Sequence, residues 1–290
     1  MPSAIRTAVV PAAGQGTRML PATKAVPKEL LPILEQPALQ LIVNEAVGAG
    51  VDHVVVVTNR NKPAIESYFE RSPLVEDILD RQGRGALADQ LRRYGSDVRI
   101  SFVYQDSPLG LGHAVACAEP VVGDEPFYVM LPDELMGDSS LLASLGSVVE
   151  ATGVATVALK RMEAHELFRY GVVDPVGDTR RVAGSDVVPF AAVTEKPTSD
   201  APSDLVIIGR YALLPDVFSD LAALAPAATG EIQLSDALSV QAARRPLNGV
   251  LSAVSRRDIG NPVGWLQAVV EAGLDHPEYG PAFRAWLADR

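Results

Sequence analysis

Ala8-Val9-Val10-Pro11-Ala12-Ala13-Gly14-Gln15-Gly16-Thr17-Arg18 passes from an apolar run into a loop of small residues. The run reads as a buried strand. The glycines let backbone N–H groups approach a phosphate with no side chain between them. The chain of 290 residues carries a net charge of -11, yet its first acidic residue is Glu29. Before it stand Arg6, Arg18, Lys24 and Lys28. A cationic loop in an anionic protein points to a local anion site, such as one for a nucleoside triphosphate. Without Arg18 and Lys28 the same residues would read as a plain strand-to-loop turn.

Spacing removes two other phosphate loops. The dinucleotide fingerprint G-x-G-x-x-G/A needs Gly or Ala at position 19, where Met19 stands. The Gly-Lys-Ser/Thr of a Walker loop is absent. Composition narrows the class further. Apolar residues make up 48% and charged residues 21%, ordinary values for a soluble globular protein. Cys117 is the only cysteine, so no intramolecular disulfide can form and a reducing cytoplasm is expected. No apolar run approaches the roughly 18–20 residues of a membrane span. Met1-Pro2-Ser3-Ala4-Ile5-Arg6 shows no apolar signal-peptide core. A pI of about 4.9 argues against a broad nucleic-acid surface.

Apolar runs alternate with helical patterns through the first half. Strands are expected at Thr7–Pro11, Val54–Thr58, Ile100–Tyr104 and Phe127–Pro132. Helices are expected at Leu39–Gly48, Lys62–Phe69, Leu74–Arg93 and His113–Pro120. This alternation predicts an α/β fold, Rossmann-like, with a mixed, mainly parallel sheet covered by helices on both faces. Ligands then bind beyond the carboxyl ends of the strands, where the opening loop lies. The second half predicts strands at Thr156–Lys160, Gly171–Asp174, Ala191–Glu195, Val206–Tyr211 and Gly249–Val254. Helices follow near Pro215–Ala223, Gln233–Ala242 and Val263–Glu271. With no internal repeat or long linker, residues 1–290 read as one domain. About 5–150 would bind nucleotide, about 151–260 a second substrate, and about 261–290 would form C-terminal helices.

Three further motifs carry chemistry. Tyr104-Gln105 ends a strand, and Gly110 follows in the loop before a helix. An amide offers a donor and an acceptor side by side, which can match a pyrimidine edge, and Gly110 leaves room for a flat ring. A bare surface loop is the alternative. Leu131-Pro132-Asp133 closes the most apolar strand, where a carboxylate could hold Mg²⁺ or simply make a turn. Asp258, in Arg257-Asp258-Ile259-Gly260-Asn261, could be its partner or another turn residue. His53, His113, His165 and His276 have no metal-ligand spacing.

The stretch Gly14-Gln15-Gly16-Thr17-Arg18, continued through Leu20-Pro21-Ala22-Thr23-Lys24 to Pro27-Lys28-Glu29-Leu30-Leu31-Pro32, resembles the signature of the sugar-1-phosphate nucleotidyltransferases. The Leu-Pro-Ala-Thr-Lys insert is similar to that of their bacterial UTP–glucose-1-phosphate uridylyltransferase branch. The likeness runs from about Arg6 to about Gly273. It implies transfer of a uridylyl group from UTP to glucose 1-phosphate, with Mg²⁺, in a cytoplasmic homo-oligomer, a dimer or tetramer. Ala12, Ala13, Gly14, Gly16 and Thr17 would hold the triphosphate, with Arg18 and Lys28 catalytic. Gln105 and Gly110 would read the base, and Asp133 and Asp258 would hold the metal. Tyr170-Gly171-Val172-Val173-Asp174 and Thr194-Glu195-Lys196-Pro197 match the family's sugar-phosphate floor. There Gly171 and Glu195 would meet the sugar hydroxyls and Lys196 the sugar phosphate, with Glu231 a further contact. Where the family commonly carries His or an aromatic residue before the second Asp, this chain has Arg257. The attacking phosphate, with a second pKa of about 6, needs no general base at neutral pH. Two other readings stay open: a thymidylyltransferase using dTTP, and a catalytically silent regulatory paralogue.

Overall fold

The computed structural model describes residues 5–94, 96–227 and 230–289. Met1–Ala4, where the missing leader core was read, lie outside the described residues. The strand Thr7–Pro11 pairs in parallel with His53–Thr58 on one side and Phe127–Met130 on the other. Arg99–Tyr104 extends this parallel part beyond His53–Thr58. Successive side chains of a strand face opposite sides. Ala8 and Val10 therefore enter one core, beside Leu39, Ile42, Leu142 and Leu145. Val9 enters the other, beside Val115, Phe218, Leu234 and Leu238. Both faces are covered, which is why these strands read as unbroken apolar runs.

Antiparallel pairing begins beyond Phe127–Met130, with the fully buried strand Leu205–Leu213. Thr156–Arg161, Leu247–Leu251, Ser185–Glu195 and Arg180–Val182 continue the ten-stranded sheet to its far edge. Gly171–Pro175 pairs with both Ser185–Glu195 and Leu205–Leu213. The sheet is thus parallel around the opening loop and mostly antiparallel on the other side.

A separate two-stranded pairing matters most for the site. Glu134–Met136 runs antiparallel to Arg256–Asp258, with Asp258 opposite Glu134. This register brings Asp258 next to Asp133 across a gap of more than a hundred residues in sequence. The helix Pro262–Asp275 follows, capped by Asn261, whose side chain accepts from the Gly264 N–H at 2.9 Å.

Some elements differ from expectation. The single helix over Leu74–Arg93 is two, Pro73–Arg81 and Gly85–Arg93, separated at Gly83 with φ of 72°. A left-handed glycine ends a helix at little cost, and the chain restarts after it. Ser140–Thr152 is an additional helix that buries Leu141, Leu142, Leu145, Val148 and Val149. The strand expected at Ala191–Glu195 begins at Ser185 and forms a hairpin with Arg180–Val182.

Candidate active site

The opening loop is held from beneath by buried polar groups. The Ala12 N–H donates to the Val57 carbonyl at 2.7 Å. Lys62 Nζ donates to the Ala12 carbonyl at 2.7 Å and Asn59 Nδ2 to the Ala13 carbonyl at 2.8 Å. Lys62 also pairs with Glu29 at 2.9 Å, and both are buried. Burial pushes the Glu29 carboxyl up, opposed by Lys62 and Lys28. With its carbonyls tied inward, the loop presents its outer surface to a cleft of about 870 Å³ lined by Ala13, Gly14 and Thr17. Ala12 and Gly16 are not among the residues lining that cleft. Ala12 is fully buried with its amide already engaged in the sheet. Gly16 turns the chain, and its carbonyl accepts from Thr23 Oγ1 at 2.7 Å.

Arg18, Lys28, Asp133 and Asp258 line the same cleft. Lys28 Nζ lies 2.7 Å from Asp133 Oδ2, and an Arg18 guanidinium nitrogen lies 3.4 Å from the same oxygen. Enclosure opposes ionisation of Asp133, but Lys28 and Arg18 outweigh it and hold the carboxyl below its ordinary range. Asp258 pairs with Arg169 at 2.6 Å. Between the two carboxylates lies Gly260. A Cβ there would stand 2.8 Å from Asp133 Oδ2, 2.9 Å from an Arg18 guanidinium nitrogen and 3.2 Å from Asp258 Oδ1. Two carboxylate oxygens thus converge on a point that only glycine leaves open. Hard oxygen donors around such a cradle fit a divalent cation, which is ordinarily held by one or two carboxylates plus substrate phosphates. Among the described residues no group of three or more His, Cys, Asp or Glu is arranged to hold a metal by itself.

The turn carrying Asp133 rests on a buried arginine. Arg210 is fully buried and forks onto Glu45 at 2.8 and 2.7 Å. Its remaining donors reach the carbonyls of Leu131 at 3.1 Å, Gly209 at 2.9 Å and Glu134 at 2.7 Å. All five guanidinium hydrogens are engaged, and Asp133 sits between two of the tied carbonyls. Arg257 points away from the site and pairs with Glu271 on the following helix.

Gln105 is buried at the end of its strand, with its side chain on the cleft. Gly110 lines the cleft too. Its φ is 95°, and a Cβ would meet the Ile232 carbonyl oxygen at 2.8 Å and Glu231 Cβ at 2.9 Å. The missing side chain lets the base loop press against the 231–232 segment. Ile232 N–H donates to the Leu109 carbonyl at 2.7 Å, and Gly112 N–H to the Ile232 carbonyl at 2.8 Å. Glu231 is thereby brought to the same cleft.

Gly171 pairs with Glu195 where the strand Ser185–Glu195 ends. Lys196 then takes a left-handed conformation with φ of 45°, and its N–H donates to the Tyr170 carbonyl at 3.0 Å. The bend brings two neighbouring side chains to one side: Lys196 Nζ lies 3.2 Å from Glu195 Oε1, and both line the cleft. Lys62, Asn59, Arg169 and Arg210 are additions to the site that sequence reasoning missed. Each finds its partner only through the fold.

A phosphate-type loop at a strand end, cations on it, and two carboxylates facing it define a transferase that handles phosphate groups. The model of the nucleotidyl transferase family matches residues 7–272. The UTP–glucose-1-phosphate uridylyltransferase of Escherichia coli K12 is 40% identical over 98% of this chain and 96% of that protein. The UTP-bound UGPase of Acinetobacter baumannii superposes with a TM-score of 0.89 at 34% identity, covering 98% of this chain and 99% of that one. A UDP-glucose pyrophosphorylase complexed with UDP-glucose gives a TM-score of 0.80 at 34% identity, covering 99% and 100%. The chain belongs to the nucleotidyl transferase family and, within it, to the UTP–glucose-1-phosphate uridylyltransferases. Among the described residues no helix is long and apolar enough to cross a membrane.

Proposed function

We propose that this chain transfers a uridylyl group from UTP to glucose 1-phosphate, assisted by Mg²⁺, giving UDP-glucose and pyrophosphate. The observation that carries the proposal is the convergence of Asp133, Asp258, Arg18 and Lys28 on the Gly260 cradle beside the opening loop. The order of strands supports it. Gln105 follows Arg99–Tyr104, the phosphate loop follows Thr7–Pro11, and Asp133 follows Phe127–Met130. Base, triphosphate and metal sites therefore follow one another across the sheet at the strands' carboxyl ends.

The phosphate oxygen of glucose 1-phosphate attacks the α-phosphorus in line. The new P–O bond forms as the bond to the β-phosphate oxygen breaks, and pyrophosphate carries off the electron pair. No proton has to be removed from the nucleophile, so the residues act by position and charge. Arg18 and Lys28 neutralise charge on the triphosphate and on the departing pyrophosphate. Lys196 holds the attacking phosphate as a point charge. Glu195 accepts hydrogen bonds from sugar hydroxyls, with Gly171 and Glu231 beside it, and Gln105 reads the uracil. Asp133 and Asp258 would hold Mg²⁺, which would supply charge neutralisation during the transfer. In the structure Lys28 pairs with Asp133 and Arg169 with Asp258.

In this scheme residues of about 5–150 serve the nucleotide and those of about 151–260 the sugar phosphate. We assign the enzyme to the cytoplasm as a homo-oligomer, a reading that the lone thiol of Cys117 and the exposed Val263, Leu266 and Trp286 on the C-terminal helices support. The test is pyrophosphate release with Mg²⁺ across four nucleoside triphosphates and several sugar 1-phosphates. UTP with glucose 1-phosphate should give the highest kcat/KM. A higher value with dTTP, or no release from any pair, would refute the proposal.

A further inference from the structure

Gln105 is 7% exposed, and its backbone N–H donates to the Thr58 carbonyl at 2.8 Å, so its side chain leaves the sheet in a set direction. Its Nε2 lies 3.0 Å from the Gly110 carbonyl oxygen and 2.9 Å from His113 Nδ1. A carbonyl oxygen only accepts, so the amide atom facing Gly110 is the nitrogen, and the usual ambiguity of a glutamine flip is removed. That nitrogen has two hydrogens. One goes to Gly110, and the other to His113 Nδ1, which must be the unprotonated ring nitrogen. Cys117 Sγ, 3.9 Å from the same Nδ1, is compatible, because burial pushes the thiol up and keeps its proton on it. Both hydrogens of the amide are engaged within the protein. What Gln105 offers the cleft is an acceptor, Oε1.

We propose that His113 makes Gln105 an acceptor-only reader, and that this separates uracil from cytosine. The inference rests on the assignment of Gln105 to the base. Uracil N3 carries a hydrogen and donates to Oε1. Cytosine N3 carries a lone pair and meets Oε1 acceptor to acceptor. Two bonds hold the amide nitrogen inward; without His113 only the one to the Gly110 carbonyl remains, so turning an N–H toward the base gives up one hydrogen bond instead of two and either edge is tolerated more readily. His113 does not line the cleft, so it is a positioning residue that acts through Gln105.

The test compares His113→Leu, His113→Asn and Gln105→Leu. Leucine puts a methyl group where Nδ1 stood. Asparagine branches at Cγ as histidine does and returns an acceptor oxygen near that point. The readout is kcat and KM for UTP and for CTP at saturating glucose 1-phosphate, and KM for glucose 1-phosphate at saturating UTP. Where CTP turns over too slowly to time, calorimetric dissociation constants for the two nucleotides give the same ratio. Thermal denaturation confirms folding, and His113→Ala replaces His113→Leu should the latter not fold. The expected result in His113→Leu is a fall of about tenfold in the UTP/CTP ratio of kcat/KM, the scale of one misplaced polar partner. The change should lie mainly in KM for UTP, with KM for glucose 1-phosphate unmoved, and His113→Asn should recover most of the ratio. An unchanged ratio in His113→Leu, while Gln105→Leu lowers it, overturns the role of His113. An asparagine variant no better than leucine does the same, because ring packing would then explain the loss. An unchanged ratio in Gln105→Leu overturns the base assignment itself.

Discussion

Replacing Arg210 by Met should separate two consequences of one buried side chain. The substitution leaves the Glu45 carboxylate, 7% exposed, without the fork that neutralises it. Removing one member of a buried pair costs about 3–5 kcal/mol, because the partner's charge stays buried and uncompensated. The carbonyls of Leu131, Gly209 and Glu134 lose a donor as well. Each retains a second lone pair and some can find water, so the total should stay near the upper end of that range rather than exceed it. In a chain of this size such a loss lowers Tm by on the order of 10 °C. Turnover should fall separately. Asp133 stands between the freed carbonyls of Leu131 and Glu134, and a displacement of about 1 Å at a reacting site can cost on the order of a hundredfold in rate. Adding Glu45→Met removes the orphaned charge and should restore most of the Tm, since apolar replacement of a whole buried pair is often neutral. It should leave kcat low, because the carbonyls remain untied. Calorimetric melting and steady-state pyrophosphate release on wild type, both single variants and the double variant provide the cycle. A double variant no more stable than Arg210→Met, or one that regains kcat along with Tm, would refute the reasoning.

Arg18→Ala and Lys28→Ala should each cost roughly 3 kcal/mol, mostly in kcat, the scale of losing one preorganised charge-stabilising group; near-wild-type turnover in both would remove the triphosphate from this loop. Asp133→Asn and Asp258→Asn should each abolish Mg²⁺-dependent turnover while the fold is retained, and a metal bound tightly by the ligand-free protein in calorimetry would contradict the reading. Lys196→Ala should raise KM for glucose 1-phosphate far more than KM for UTP, while Glu195→Gln should weaken the preference for glucose over galactose 1-phosphate; equal effects on both substrates, or an unmoved preference, would reassign these residues. Because Lys28 and Arg18 hold Asp133 below its ordinary value near 3.8, its ion pairs contribute fully above that value and are lost as pH falls through the lower folded one. The Tm difference between wild type and Asp133→Asn should therefore stay level from about pH 7 to 5 and shrink only below about pH 4.

The sequence was most legible where one element buries both faces. Thr7–Pro11 carries no polar residue but Thr7 at its edge, and the observed strand has the expected ends. Ser140–Thr152 was harder to see, although Leu141, Leu145 and Val148 keep helical spacing. Its small residues Ser140, Ala143, Ser144, Gly146 and Ser147 dilute the apolar stripe. Pairings of three polar residues such as Arg256–Asp258 with Glu134–Met136 have almost no local signal. The resemblance singled out Asp133, Asp258, Glu195 and Lys196, and the fold gathers all four on one cleft. The residues that support them stayed hidden for a physical reason. A buried arginine such as Arg210 is recognisable only by its partner, and Glu45 lies 165 positions away.

The two backbone hydrogen bonds that Ile232 makes with Leu109 and Gly112 join the loop after Gln105 to the segment carrying Glu231. They allow neither segment to move far alone. Whatever orders the loop on the nucleotide side also lowers the entropy that remains to be lost when the sugar phosphate arrives. With the base and the sugar on these two segments, as proposed, the affinities of the two substrates would be linked, and linkage of this kind is reciprocal: each substrate should tighten the binding of the other by the same factor. With Gln105 on the base and Glu231 on the sugar, as proposed, UDP-glucose would engage both segments within a single molecule, whereas UTP and glucose 1-phosphate would have to order them in succession.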